Sequence, residues 1–147
     1  MKNKIIILLV VLIAFSCSVK ETDDYKLVSF IKLNNHVVED YDHILRISET
    51  GCVGCNKSFA RLVKEYVQSD NNLFIISAKG ATVDISPYLD TKNSKNIIFD
   101  YENKFGPLKI VENSGIIFLK DNKIDTIINI EAKGIEETLR FIDSKLK

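Results

Sequence analysis

The segment Thr50-Gly51-Cys52-Val53-Gly54-Cys55-Asn56-Lys57 constrains this chain more than any other, because it sets a Cys-X-X-Cys between a short strand and an amphipathic helix. Upstream, His43-Ile44-Leu45-Arg46-Ile47-Ser48 is mostly apolar and β-branched and is stopped by Thr50-Gly51, a buried-strand pattern. Downstream, Phe59, Leu62, Val63, Tyr66 and Val67 recur at helical spacing, with Lys57, Arg61, Lys64 and Glu65 largely on the opposite face. The cysteines are thus expected in the first turn of that helix. Unpaired N–H groups and the positive end of the helix dipole favour a thiolate there. The three-residue spacing lets both sulfurs share a face and close a disulfide. In such motifs the thiol pKa falls from about 8.5 to somewhere between about 3.5 and about 7.5. Cys52, nearer the helix end, is the expected nucleophile, and Cys55 the resolving thiol.

Two plainer roles for the pair compete. A structural zinc site needs more ligands than His36 and His43, both N-terminal to the motif, supply, so no metal ligands are assigned. A structural disulfide suits an oxidising compartment, but closing so small a loop removes little chain entropy.

The N-terminus reads as an export signal. Lys2 and Lys4 precede eleven apolar residues, Ile5 to Phe15, and then Ser16-Cys17. A membrane span needs about 20 residues. A cysteine directly after such a run resembles the lipobox of bacterial lipoproteins, which implies cleavage before Cys17 and acylation of its sulfur. Ala14-Phe15-Ser16 departs from the usual Leu, small residue, Gly or Ala. Cysteine arithmetic favours lipidation, since it leaves Cys52 and Cys55 as a closed pair; the alternative is a secreted protein with a free thiol. The expected organisation is a signal peptide over 1–16, a polar tether with the lipidated cysteine over 17–24, and one domain over 25–147. With 46% hydrophobic and 27% charged residues the chain has the profile of a single globular domain. A net charge of zero gives no field to attract nucleic acid, which is excluded as a partner.

Along the domain, Leu27 to Leu33 reads as a strand, Asn34-Asn35 as a turn and His36-Val37-Val38 as a returning strand, making an N-terminal hairpin. After the motif helix, Leu73 to Ala78 is a continuous apolar run, as in a central parallel strand. Lys79-Gly80 ends it. Ser86-Pro87 opens a brief helix near Tyr88 and Leu89, with Ser86 as its cap, and Asn96 to Asp100 is another strand. Phe105-Gly106-Pro107-Leu108 interrupts any helix beginning near Glu102. Gly115–Lys120 and Ile124–Ile130 form a hairpin around Asp121-Asn122-Lys123, and Ile135, Leu139, Ile142 and Leu146 mark a closing helix from about Gly134 to the terminus.

A strand-helix-strand unit whose helix opens on Cys-X-X-Cys, followed by a hairpin and a helix, resembles the thioredoxin fold, and more specifically the TlpA-like membrane-tethered thiol-disulfide oxidoreductases. The resemblance covers about Leu27 to Lys147. It implies an α/β fold, a central mixed sheet flanked by helices, with an N-terminal β-hairpin extension and an insertion over Lys79 to Asn113. It also implies thiol-disulfide exchange with exported proteins by Cys52 and Cys55, without a cofactor, at a cell envelope membrane facing the periplasm or the outside, and a redox partner that recycles the pair. Substrate would dock at Ser114 and Gly115, the place corresponding to the family's cis-proline and its strand.

This chain departs from the family in four places. Gly51 replaces an aromatic residue and Gly54 a proline, Ser114 stands where the cis-proline would be, and Arg46 where thioredoxin has a buried acid. A non-proline cis bond costs about 2.5 to 4 kcal/mol, which favours a trans bond at Ser114. Two other roles remain open: both thiolates holding a soft ion such as Cu(I), and a redox-inert scaffold. Arg46, Lys57, His36 and His43 are expected to be solvated surface rather than part of the site.

Overall fold

A computed structural model describes residues 22–48, 55–78, 84–131 and 133–146, with the backbone alone of Cys55. The signal segment, Cys17, Cys52 and the Lys79-Gly80 stop lie outside the described residues.

The first element is a helix, α1 (Asp23–Leu33), and not the expected strand. Its N-terminus is capped by Thr22, whose hydroxyl accepts the Tyr25 N–H, and Asp23 and Asp24 lie at the positive end of the helix dipole. Leu27, Phe30 and Ile31 are buried at helical spacing, whereas Leu33 is 83% exposed. The apolar density of this stretch hides the period, since Val28 and Leu33 look like core residues and are not. Asn35 takes the left-handed conformation (φ 62°), and the His36 N–H returns to the Ile31 carbonyl, closing the helix as a Schellman motif. Residues Val38–Asp40 make a 3-10 turn, so the N-terminal β-hairpin extension does not exist. The helix also takes in Asp23 and Asp24, the last two residues of the expected tether.

The rest follows the predicted order: β1 (His43–Ser48), α2 (Cys55–Tyr66), β2 (Asn72–Ser77), a 3-10 turn (Ser86–Thr91), β3 (Ile97–Asp100), β4 (Ser114–Lys120), β5 (Lys123–Ile130) and α3 (Ile135–Leu146). The cap of the Ser86–Thr91 turn differs from expectation: Ile85 takes the N-cap position with no side-chain cap bond, and the Ser86 N–H donates to Asp84 Oδ1 at 3.0 Å. The hairpin turn is tighter than predicted. Asp121 and Asn122 both adopt positive φ (51° and 64°), the two-residue geometry that matches strand twist, and Lys123 already pairs with Lys120.

The sheet runs in the order β3-β2-β1-β4-β5. Strands β1, β2 and β3 are parallel, while β4 is antiparallel to both β1 and β5. The central parallel pair is joined through α2, and the hairpin and α3 close the chain. The fold is thioredoxin-like. The stretch between β2 and β4, expected as an insertion, supplies the edge strand β3.

Each face of the sheet carries its own core, because successive side chains alternate sides. One face packs Leu45, Ile47, Phe74, Ile76 and Ile116 against Phe59, Leu62 and Val63 of α2 and Ile142 and Leu146 of α3. The other packs Ile44, Ile75, Ile98 and Ile117 against Leu27, Phe30 and Ile31 of α1 and against Phe105, Ile110 and Val111. Each large side chain so buried stabilises the fold by about 1.5 to 3 kcal/mol. Arg46 lies between Leu45 and Ile47 on β1, and is only 2% exposed.

Candidate functional site

The three parallel strands end together, with Ser48 beside Ser77 and Ser77 beside Asp100. In open α/β sheets the crevice beyond the carboxyl ends of the strands is where ligands bind. Helix α2 starts at this edge with Cys55, and six residues, Cys52 among them, separate it in sequence from the end of β1. The predicted apolar face of α2 is buried throughout, so the sheet fixes the direction in which its first turn opens. Tyr88, 1% exposed, packs the Ser86–Thr91 turn onto that first turn, its hydroxyl 3.5 Å from the Asn56 carbonyl.

Strand β4 reaches the same edge from the other side. The Ser48 N–H donates to Ser114 Oγ at 3.0 Å, so Ser114 sits against the residue that ends β1. Ser114 is itself buried and pairs with Ile130 of β5. No cis peptide bond occurs among the described residues, and Ser114 is trans. Gly115 has a packing reason to lack a side chain: a Cβ there would lie 2.7 Å from both the Ile128 carbonyl oxygen and a Val111 methyl.

Arg46 corrects the expectation of a solvated charge. Its Nη1 donates to the carbonyls of Val111 (2.7 Å) and Glu112 (3.1 Å), and its Nη2 to Asn103 Oδ1 (3.3 Å). The guanidinium also lies 5.4 Å from the centre of the Phe105 ring. Burial lowers its pKa from the ordinary value while the Asp100 carboxylate opposes the shift, and a guanidinium stays charged across the working pH range. Asp100, 6% exposed, organises the same region from β3: its carboxylate accepts the N–H groups of Lys104 (2.8 Å) and Phe105 (2.9 Å) and the Ser77 hydroxyl (3.3 Å). Sequence reasoning missed both roles. The available signal was position, since a charge inside Ile44-Leu45-Arg46-Ile47 lies on a covered central strand.

The histidines stand elsewhere. His43 begins β1, at the end away from Ser48, bonding Asn72 at 3.0 Å, while His36 bonds the Tyr41 hydroxyl at 2.7 Å. Lys57 is exposed on α2. A groove of about 500 Å³ between α2 and α3 is lined by charges of both signs, among them Arg61, Glu65, Glu136 and Arg140, and Ser114 is not among its described lining residues. Among the described residues no group of three His, Cys, Asp or Glu side chains is placed to hold a metal ion.

No protein-family model and no curated protein matches the sequence. Among solved structures the chain is similar to a secreted Mycobacterium tuberculosis disulfide oxidoreductase homologous to E. coli DsbE, at 14% identity and a TM-score of 0.45, over 69% of this chain and 79% of that one.

Proposed function

We propose that the protein is an exported thiol-disulfide oxidoreductase that exchanges disulfides with protein thiols through Cys52 and Cys55. The observation that carries this reading is the start of α2 at Cys55, at the edge where the parallel strands end and where Ser114 is held against Ser48. A cysteine pair opening a helix at that edge has the N–H groups and dipole that stabilise a thiolate, and a neighbouring strand whose backbone can receive a client chain.

In the reducing direction, the Cys52 thiolate attacks one sulfur of a client disulfide. A mixed disulfide forms and one client thiolate leaves. The Cys55 thiolate then attacks the Cys52 sulfur, giving the Cys52–Cys55 disulfide and releasing the second client thiol. Two electrons and two protons pass to the client, and a dithiol partner returns them to the pair. In the oxidising direction every step reverses. The backbone of Ser114 and Gly115 would align the client.

The proposal includes a lipid anchor at Cys17, supported by the apolar run that ends at Ser16-Cys17. Mass spectrometry of the membrane fraction tests it: an acylated N-terminal Cys17 is expected, and an unmodified mature terminus contradicts it. For the exchange reaction, the test is trapping. Cys55→Ser accumulates mixed disulfides with client proteins, because attack proceeds without resolution, and Cys52→Ser accumulates none. Equal trapping by both variants, or by neither, contradicts the assignment.

A further inference from the structure

Two departures from the thioredoxin pattern, Arg46 in place of a buried acid and Ser114 in place of a proline, meet in one arrangement. The segment that leads into β4 is anchored by the buried side chains of Ile110 and Val111, but among the described residues the backbone of 110–113 makes no backbone-to-backbone hydrogen bond outside the strands. Side chains reaching in from the sheet hold it. Arg46 Nη1 takes the carbonyls of two successive residues, Val111 and Glu112, and Asn129 Oδ1 accepts the Glu112 N–H at 3.3 Å. Two consecutive carbonyls turned onto one nitrogen define the course of the chain at those residues, and the next two are Asn113 and Ser114. The guanidinium is in turn bonded to Asn103 and set over Phe105, whose N–H Asp100 accepts.

We propose that Arg46 is a positioning residue for the exchange reaction, holding Val111 and Glu112 so that the backbone at Asn113 and Ser114 is preset for an extended client chain. This rests on the oxidoreductase reading above. Proline stiffens a backbone through its ring; here a buried cation does so through hydrogen bonds, and loss of its guanidinium releases the carbonyls of Val111 and Glu112. A preset backbone at Asn113 and Ser114, beyond the last β1–β4 pair at Arg46 and Gly115, matters only to a substrate long enough to lie along it.

The test compares two disulfides on the full-length reduced protein: cystamine, too small to lie along the strand, and an unstructured peptide carrying a glutathione mixed disulfide. Arg46→Met is expected to lower kcat/KM for the peptide by up to about a hundredfold, the scale of a misplacement of about 1 Å. Cystamine reduction and its pH profile stay within about twofold of wild type. Equal losses on both substrates mean a merely structural role and overturn the proposal, as does no loss on either. If Arg46→Met does not fold, Arg46→Lys carries the test: it keeps the charge but lacks the fork, so the same split is expected at about tenfold, and a uniform loss or none overturns the proposal. A wild type that reduces neither disulfide defeats the oxidoreductase reading first, and this proposal with it.

Discussion

Asp100 has the most to lose at the scale of single residues, because one buried carboxylate serves two backbone N–H groups and a hydroxyl. Hydrogen bonds to charged groups are worth about 1.5 to 3 kcal/mol each, so Asp100→Ala is expected to lower unfolding stability by about 3 kcal/mol or more, read from urea melts. A cost below about 1 kcal/mol would show that water replaces the carboxylate. Ser114→Ala removes the acceptor of the Ser48 N–H and is expected to cost about 1 kcal/mol. The Cys-X-X-Cys is plain in the sequence, and of it the described residues show that α2 begins at Cys55. The network around Arg46 was not, since its partners lie 57 to 66 residues along the chain, where no local pattern reaches.

Among the elements, α2 and β2 were legible because their patterns are extreme: every predicted apolar position of α2 is buried, and all six residues of β2 are. Helix α1 was misread for the opposite reason, since apolar residues on both its faces allow either period. Its cap signal, Thr22 before two aspartates, was present in the sequence. The helix assignment is tested by contrast. Leu27→Ala is expected to cost about 2 to 5 kcal/mol and Leu33→Ser less than about 0.5 kcal/mol, whereas a strand with alternating faces would bury both alike. Thr22→Ala is expected to cost about 1 kcal/mol, measurable as a drop in the urea midpoint.

At the scale of the whole molecule, the helices on one face are tied by the Tyr66 hydroxyl of α2, which donates to the Asp143 carboxylate of α3. Burial and then this bond push the Tyr66 pKa from 10.0 up to about 12. The folded state therefore favours the protonated phenol, so the contribution is complete below the unfolded pKa near 10.0 and is lost as pH rises towards about 12. Tyr66→Phe should flatten the fall in stability across that window, and an unchanged alkaline melt would contradict the coupling. The central claim, that Cys52 and Cys55 act together as a redox couple, is tested most directly by equilibrating the full-length protein across a glutathione series and counting free thiols by alkylation and mass spectrometry. Both thiols are expected to disappear together in one two-electron transition, with a tenfold change in the ratio of oxidised to reduced protein for each shift of about 30 mV. Two thiols that titrate independently, or a pair that never oxidises, would contradict it.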